Sequence, residues 1–275
     1  MSASPWRGHD LGTRTVPYAE RDAILYALAV GAGAGDLDLV HEERLRVLPT
    51  FALTLAQWAP DALGALGAFD ITTAVHGAQR LTVHAPLPRE GAVEMTARVA
   101  EVWDKGSAAV FEVEVDSAYA TAVWSLFAPG AGGFGGARGP SAPKPPTGTP
   151  DRTATVHSWP EQAALYRLLG DRHAMHLDPE AARAAGMPRP FLHGLCTLAS
   201  VTLPVARQLG VHPARLTRLE GRFAAPAFPG DRLDTGCWDE GGDGAGGWPG
   251  SGVRFEVTAD GRAVVSGGRA SFGTG

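Results

Sequence analysis

The chain has 275 residues, of which 44% are hydrophobic and 19% are charged, so it is long enough to bury the cores of two modules of ordinary size. Its net charge of −5 and isoelectric point near 6.0 offer no basic surface for nucleic acid. No apolar run reaches the length of a membrane span, and the N-terminus lacks the basic-then-apolar order of a signal peptide. Two cysteines, Cys196 and Cys237, are too few for a disulfide framework, which favours a reducing cytoplasm.

The first half of the chain resembles the second at a nearly constant offset. Residues 24–28 align with residues 164–168, which lie 140 positions further on. Residues 111–113 and 255–257 both read Phe-Glu-Val and lie 144 positions apart. The drift falls within the glycine-rich stretch 241–252. A duplicated module is the economical interpretation.

The duplication divides the chain into two modules joined by a linker. We predict an N-terminal module over residues 1–128 and a C-terminal module over residues 153–275, each supplying a helix followed by strands. Alternating apolar residues predict three strands in each module. Their bounds are 93–103, 108–115 and 121–127 in the first module and 232–238, 253–259 and 263–272 in the second.

The linker, residues 129–152, is rich in glycine and proline, a composition that favours irregular chain. Residues 130–135 within it spell G-x-G-x-x-G, and residues 242–247 repeat that spacing. The motif binds dinucleotides when it follows a strand and opens a helix, and neither run does so convincingly. Both are therefore interpreted as plain loops.

A segment early in the second module carries the residues most suited to acid–base chemistry. Asp171 and His176 lie five positions apart, after a helix predicted over residues 160–169 with Gly170 as its stop. Asp178 can cap a second, short helix, so the two helices would hold the segment between them. A carboxylate can take a proton from water and an imidazole can share or return it, as adding water to an activated double bond requires.

A nearly all-apolar stretch follows over residues 191–209 and ends at Gly210. A helix that is apolar nearly all round must be wrapped by other structure, here the sheet built from the predicted strands. Gly194 lies in its first turn, where the helix terminus carries partial positive charge and no side chain blocks the N–H. The sequence therefore predicts an oxyanion donor at Gly194, with tight packing of the helix start as the alternative.

The acidic and imidazole groups have other interpretations, which depend on where each group lies in the repeat and on its neighbours. Asp36 and His41 reproduce the spacing in the first half, but they are out of register with the repeat and lie among polar residues, which indicates a solvated loop. At the offset of 140, Asp171 falls on Gly31, so the first half lacks the acid. His173 beside Asp171 raises the question of a metal site. With no thiol or further histidine cluster within sequence reach, we expect no metal.

Several separated motifs carry a resemblance to a known family. Residues 163–194, reading AALYRLLGDRHAMHLDPEAARAAGMPRPFLHG, resemble the hydratase 2 motif of the MaoC-like, (R)-specific enoyl-CoA hydratases. Residues 18–26, 48–51, 76–79 and 104–106 are similar to the N-terminal module of the two-domain form, the type fused in peroxisomal multifunctional enzymes. These motifs occur in order and cover most of the chain.

The resemblance implies an α+β double hot-dog fold, in which two curved antiparallel sheets are each wrapped around a long central helix. It implies hydration of trans-2-enoyl-CoA to (3R)-3-hydroxyacyl-CoA, or the reverse dehydration, without a cofactor because CoA belongs to the substrate. It also implies a homodimer whose degenerate first half leaves room for a long or bulky acyl chain. Residues 272–275 do not spell the peroxisomal Ser-Lys-Leu signal, which favours a bacterial cytoplasm.

The resemblance also implies roles for particular residues. Asp171 and His176 match the hydratase dyad, and the Gly194 N–H matches the oxyanion donor. The positions that contact the acyl-CoA substrate are matched by His76, Gly77, Lys105, Arg172, His173, Ala174, Met175 and Phe223.

The chain departs from the family's Asp-x-Asn-Pro-x-His pattern at two positions. His173 stands where asparagine is usual, and Ala174 stands where proline is usual. An imidazole can still donate a hydrogen bond to the substrate or to Asp171, but it is bulkier and titratable. Loss of the proline leaves φ less fixed, so we expect a different rate or substrate preference.

Plain structural interpretations stay open beside these roles. His193, next to Gly194, is interpreted as a packing or hydrogen-bonding residue. His76 and Phe223 can simply line the pocket, and Lys105 can be an ordinary hairpin-tip lysine. Three arginines can meet CoA phosphates, although exposed arginines need no such explanation; they are Arg183, Arg189 and Arg222.

Two rival functions are compatible with the same residues. A thioesterase of this fold would use the carboxylate to activate water against the thioester carbonyl, and it would release free CoA thiol. A non-catalytic acyl-CoA-binding subunit would bind enoyl-CoA without turnover.

Overall fold

The computed structural model describes residues 4–240 and 251–273, and within them ten strands form one antiparallel sheet. The strands are β1 Asp10–Tyr18, β2 Val75–Val83, β3 Gly91–Asp104, β4 Ala108–Asp116, β5 Ala120–Pro129, β6 Arg152–His157, β7 Leu216–Phe223, β8 Arg232–Asp239, β9 Ser251–Ala259 and β10 Arg262–Phe272. Across the sheet their order is β1-β3-β4-β5-β2-β7-β10-β9-β8-β6.

The two halves of the sheet repeat one strand order. Read outward from the β2–β7 seam, the first half runs β2-β5-β4-β3-β1 and the second runs β7-β10-β9-β8-β6. The seam pairs Ala78 with Arg222 and Leu81 with Leu219. Pairing these two edges satisfies backbone groups that each half alone would leave open. The two sheets that the family resemblance implies thus join into a continuous one.

All six predicted strands are present, and their ends differ from the predicted bounds by at most two residues. Four strands, β1, β2, β6 and β7, were not predicted. Strand β1 contains Gly12 and Pro17, which usually interrupt strands, but Pro17 is tolerated because β1 lies at the sheet edge. In β2 a bulge between His76 and Ala78 breaks the alternation of apolar residues.

Seven α-helices lie in the described ranges: α1 Glu20–Ala29, α2 Leu37–Val40, α3 Phe51–Leu55, α4 Trp58–Ala65, α5 Gln162–Tyr166, α6 Pro179–Ala184 and α7 Gly194–Gln208. Helix α7 is buried as predicted and packs on β6, β8 and β10. It begins at Gly194 rather than at residue 191 because His193 is extended and forms the N-cap. In the first half, the short helices α3 and α4 take the place of one continuous helix. Among the described residues, no helix is long and apolar enough to cross a membrane.

The predicted linker crosses the outer face of the sheet, away from α7, as a strap over residues 130–150. It must cross because β5 is the fourth strand of the sheet and β6 is the tenth. Gly139 lies so close to the Trp103 ring that a β-carbon would come within 2.5 Å of it. Further on, the Gly148 carbonyl accepts a hydrogen bond from Trp238 Nε1 at 3.2 Å. The strap is therefore packed on the sheet rather than free of it.

Candidate active site

The loop between α5 and α6 is fixed at both ends, as the sequence predicts. Helix α5 continues as a 3₁₀ turn over Arg167–Leu169 and stops at Gly170, whose φ of 154° favours glycine. At the other end Asp178 caps α6, because its Oδ1 accepts the Glu180 N–H at 2.8 Å. Residues 171–177 are thus held between two anchored ends, and we call them the catalytic loop.

Asp171, His176 and His193 form a cluster in which one oxygen or nitrogen of each side chain lies within 4.8 Å of the others. Both histidines are buried, at 8% and 2% exposure, and their rings stack with centroids 3.8 Å apart. The structure therefore brings the predicted pair together. The cluster also contains His193, the residue just before α7. This contact is hard to predict from the sequence because His193 lies 22 positions from Asp171.

Backbone carbonyls fix which nitrogen of each imidazole carries the proton. His176 Nδ1 lies 2.9 Å from the Phe191 carbonyl oxygen, and His193 Nε2 lies 3.1 Å from the Asp171 carbonyl oxygen. Because a carbonyl only accepts, each of these nitrogens donates, and the opposite nitrogen of a neutral ring keeps its lone pair. His176 Nε2 is thus available as a proton acceptor. His193 holds the backbone of Asp171 while its ring supports that of His176.

His173 binds the Asp171 carboxylate directly. Its Nδ1 lies 2.5 Å from Asp171 Oδ1, and its backbone N–H donates to the same oxygen at 3.1 Å. This hydrogen bond raises the pKa of His173. The sequence allowed two hydrogen-bond partners for the His173 imidazole, the substrate or Asp171, and in the structure its partner is Asp171. The other carboxylate oxygen, Oδ2, has no hydrogen-bond partner within the described part of the chain.

The cluster combines an ionised carboxylate with neutral imidazoles at neutral pH. Burial raises the pKa of Asp171, but the hydrogen bond from His173 and the electrostatic effects of His193, His173 and His176 together more than offset it and hold that pKa well below its usual range. Burial lowers the pKa of His176, and it lowers the pKa of His193 to about 3. An anionic and a neutral acceptor side by side can hold one water molecule and exchange protons with it.

Gly194 opens the other side of the site. It is the first residue of α7, and its N–H has no acceptor among the residues that the structure describes. A β-carbon on Gly194 would lie 3.0 Å from the Phe223 ring, so only glycine leaves this approach clear. The His76 ring packs edge-on against Phe223 at 4.8 Å, and burial lowers the pKa of His76 to about 4. His76, Phe223 and Gly194 therefore meet at one place.

The remaining predicted contact residues lie elsewhere. Gly77 and Lys105 line a cavity on the outer face of the sheet beneath the strap, where Lys105 Nζ donates to the Arg138 carbonyl. They are not part of the catalytic cluster. On the catalytic loop, the exposed predicted residues are Arg172, His173 and Ala174, and the half-buried one is Met175.

A second cavity, of about 530 Å³, opens beside the catalytic loop. Most of its wall comes from the first half of the chain, and Gly170, which precedes Asp171, closes it on the other side. The residues that line it include Tyr18, Phe51, Leu55, Trp58, Asp61 and Leu169. The first half thus contributes space next to the catalytic loop of the second.

The structure bears on two interpretations of the sequence, one about metal binding at Asp171 and one about the loop at Asp36. The expectation of no metal rested on the lack of a further histidine near Asp171 in the sequence, and the fold brings His193 close to it. Asp36 lies in a largely exposed stretch, as the solvated-loop interpretation expects, and both its carboxylate oxygens lie 2.8 Å from Arg207 Nη2 in an ion pair. His41 lies apart from any such cluster and accepts the Glu43 N–H at 3.3 Å.

Comparison with known proteins identifies related sequences in both halves. The family described as MFE-2 hydratase 2 N-terminal domain matches residues 17–127, and the family described as MaoC like domain matches residues 140–248. The 3-hydroxyacyl-thioester dehydratase Y of Mycobacterium tuberculosis is 38% identical over 251 residues, which are 84% of this chain and 86% of that one. The peroxisomal enoyl-CoA hydratase 2 of Arabidopsis thaliana is 34% identical over 266 residues, 85% of each chain.

Solved structures share the architecture. A MaoC-like dehydratase from Phytophthora capsici superposes with a TM-score of 0.84 at 26% identity, covering 98% of this chain and 96% of that one. A Mycobacterium tuberculosis protein described as a double hotdog fold superposes with a TM-score of 0.61 at 17% identity, covering 97% and 96%. The predicted α+β double hot-dog fold is confirmed.

Proposed function

The chain belongs to the MaoC-like hydratase 2 family, and from this premise we propose that it catalyses the reversible, (R)-specific hydration of trans-2-enoyl-CoA to (3R)-3-hydroxyacyl-CoA. The observation that carries the proposal is the cluster of the ionised Asp171 with the neutral His176 and His193, because His193 is directly followed by Gly194, whose N–H has no acceptor among the described residues. Together they supply what the reaction needs, a held water and a donor for the developing oxyanion.

The thioester carbonyl binds at the start of α7. Its oxygen accepts a hydrogen bond from the Gly194 N–H, with the positive end of the helix behind it. The carbonyl then draws electrons from the conjugated double bond, so that C3 becomes electrophilic and negative charge develops on the oxygen. A donor that is already in place needs no rearrangement as that charge grows, and this is the source of its catalytic effect.

Asp171 and His176 hold the water that attacks C3. The carboxylate Oδ2 and His176 Nε2 each accept one hydrogen bond from it, because neither has a partner among the described residues. As the new C3–O bond forms, the π electrons move to C2 and the thioester oxygen. The proton taken from the water is delivered to C2 on the same face, which completes the addition of one H and one OH.

The acyl chain extends into the cavity of about 530 Å³ beside the catalytic loop. Its wall comes mostly from the first half of the chain and combines apolar residues, among them Phe51, Leu55 and Trp58, with the charged Arg14 and Asp61. This supports the expectation that the first half accommodates a long or bulky acyl chain rather than a second catalytic centre.

We propose that the cluster works without a metal. Metal–nitrogen bonds lie in the plane of an imidazole at about 2.0–2.1 Å, so two histidines must turn their ring edges toward one ion. The rings of His176 and His193 instead lie with their centroids 3.8 Å apart and 30° between their planes, so their faces rather than their edges are turned toward each other. Dialysis against a chelator is expected to leave the rate unchanged, and loss of rate restored by added metal would contradict this.

The test is a product analysis with trans-2-enoyl-CoAs of graded length. The expected result is loss of the conjugated double bond, a (3R)-3-hydroxyacyl-CoA product and no release of thiol. Free CoA thiol would instead mark a thioesterase, and tight binding without turnover across the whole series would mark an acyl-CoA-binding subunit. Either outcome would overturn the proposed reaction.

Two further expectations concern the setting of the enzyme. We propose a homodimer in the cytoplasm; in support of the location, both cysteines, Cys196 and Cys237, are free and buried. Light scattering on the purified chain tests the first expectation, with a monomer at micromolar concentration as the contradicting result. Fractionation of the source cells tests the second.

A further inference from the structure

The cavity of about 530 Å³ beside the catalytic loop carries two opposite charges in its wall. Arg14 on the edge strand β1 and Asp61 on α4 both line it, together with Gln57 and Trp58. A hydrocarbon chain makes no hydrogen bond to such groups, and it displaces the water that solvates them. Two charged side chains in the wall of an acyl cavity therefore call for a polar partner.

Arg14 is held in place without being neutralised. Its guanidinium carbon lies 4.6 Å from the centre of the Trp58 ring, so a cation–π contact holds the side chain against α4. Among the residues that the structure describes, its guanidinium forms neither an ion pair nor a hydrogen bond. The N–H donors of this group are therefore available to a ligand in the cavity.

Asp61 keeps an acceptor available in the same cavity. Its Oδ1 accepts a hydrogen bond from Gln57 Nε2 at 3.3 Å, and its Oδ2 has no hydrogen-bond partner in the described part of the chain. Burial raises the pKa of Asp61, and two groups of the catalytic loop act on it electrostatically: His173 lowers that pKa and Asp171 raises it. Asp61 comes from the first half of the chain, yet it lies within electrostatic range of the catalytic loop.

The opposite signs of the two charges discriminate among polar groups. A carboxylate on the acyl chain would be attracted by Arg14 and repelled by Asp61, and an ammonium group would meet the reverse. A hydroxyl group suits both, because its oxygen accepts a hydrogen bond from a guanidinium while its proton is donated to a carboxylate. A plain hydrocarbon would leave both charges desolvated and without a partner.

We propose that Arg14 and Asp61 bind a hydroxyl group of the acyl chain, so that the substrates of this enzyme are enoyl-CoA thioesters hydroxylated beyond the reacting carbons. This rests on the proposed function, because it takes the cavity as the site of the acyl chain. The two residues determine substrate choice, whereas the catalytic cluster performs the chemistry. Trp58 is the platform that keeps Arg14 at the cavity wall.

The test compares trans-2-decenoyl-CoA with analogues that carry one added hydroxyl group, at C6, C8 or C10. The readout is the ratio of kcat/KM for an analogue to kcat/KM for the plain chain, because general damage to the catalytic cluster divides out of that ratio. For the wild-type enzyme we expect the ratio to reach about tenfold at one of the positions, through hydrogen bonds to two charged groups. A ratio of one or less at all of them would overturn the proposal.

Two apolar substitutions remove one partner of the hydroxyl group each. Arg14→Met and Asp61→Leu are each expected to lower the best ratio by about threefold or more. Arg98→Met, on β3 and paired with Glu114 outside the cavity lining, is the matched control and should keep the wild-type ratio. A wild-type ratio in the Arg14→Met enzyme would overturn the proposal, and this variant decides alone if Asp61→Leu fails to fold.

A further substrate separates the hydroxyl group from an anionic one. Higher kcat/KM for a decenoyl-CoA that ends in a carboxylate than for every hydroxylated analogue would overturn the assignment to a hydroxyl group. A wild-type chain that hydrates none of these thioesters would refute the proposed function itself. Hydration of the plain chain without any preference would refute only the hydroxyl site.

Discussion

The two halves of the molecule share one strand order but fill the starts of their inner helices differently. Helix α3 of the first half begins with Phe51, which is 1% exposed and packs edge-on against Tyr18 at 5.3 Å. Helix α7 of the second half begins with Gly194, whose missing side chain leaves room beside Phe223. One copy of the module has closed its helix terminus with an aromatic ring, and the other has kept its terminal N–H open to a ligand.

The same contrast separates the two Asp-x4-His sequences. Both oxygens of Asp36 bind Arg207 near the end of α7, so this acid links the halves electrostatically. Asp171 instead lies among imidazoles, and its Oδ2 has no hydrogen-bond partner in the part of the chain that the structure describes. Identical spacing therefore gives an ion pair in one half and a candidate proton acceptor in the other. The surroundings decide the chemistry, and each prediction below probes one of these differences.

The largest expected effect follows from removing one imidazole in each half. His176→Ala deletes the Nε2 acceptor and should lower kcat for enoyl-CoA hydration by about 10²–10⁴-fold. His41→Ala, the matched change in the first half, should retain wild-type turnover. Steady-state rates with circular dichroism as a folding control would measure both. A folded His176→Ala enzyme with more than a tenth of the wild-type rate would refute the role of this residue.

A pair of substitutions at Gly194 isolates the open helix terminus. Gly194→Ala keeps the N–H and adds a β-carbon 3.0 Å from Phe223, whereas Gly194→Pro adds a β-carbon as part of its ring and also replaces the N–H with a ring carbon. Proline fits the first position of a helix, so the fold should survive. Loss of an oxyanion donor costs about 10²–10³-fold in kcat, and we expect Gly194→Pro to fall below Gly194→Ala by that factor. Equal rates in the two variants would show that the N–H does not act.

The cap of α6 is expected to make a smaller contribution to stability. The first half lacks an equivalent, since Asp36 makes no side-chain cap to α2. Asp178→Ala removes the hydrogen bond to the Glu180 N–H and should lower the free energy of unfolding by about 1 kcal/mol. Urea denaturation measures this directly. A stability equal to wild type would mean that the loop is anchored by other contacts.

The smallest expected effect is a pH-dependent one at His173. Its pKa is raised by the hydrogen bond to Asp171, so the pair stabilises the fold below the ordinary imidazole value of about 6.5 and loses that effect as pH rises through the raised value. Because the ring is half-exposed and screened by solvent, the effect should stay below about 1 kcal/mol. His173→Asn should therefore be less stable than wild type at low pH, with the difference shrinking at high pH. A difference that grows with pH would contradict this sign.

Local signals in the sequence were enough to predict the elements that hold the catalytic loop. The stop at Gly170, the cap at Asp178 and the apolar helix after it depend on neighbouring residues, and all three are present in the structure. The repeat at 140–144 positions anticipated two copies of one strand order. Strand β1 was not predicted because Gly12 and Pro17 usually interrupt strands, although the position of β1 at the sheet edge tolerates them.

Contacts between residues far apart in the sequence could not be predicted from such local signals. His193 lies 22 positions from Asp171 and reaches it only because α7 packs inside the sheet. Its one sequence signal is an imidazole just before a stretch of mostly apolar and small residues. The glycines of residues 130–135 were correctly interpreted as a loop, but the Asp104 carboxylate, which accepts the Gly133 and Gly135 N–H groups, lies 31 positions from Gly135. The similar run at residues 242–247 lies outside the described residues.

The central claim is that the second half alone carries the acid, and one measurement compares the two aspartates directly. Asp171→Asn and Asp36→Asn are purified, checked for folding and assayed for hydration of crotonyl-CoA under identical conditions. The account predicts that Asp171→Asn loses turnover by about 10²-fold or more, while Asp36→Asn, which forfeits only an exposed ion pair, keeps it. Near wild-type hydration by a folded Asp171→Asn enzyme would contradict the account.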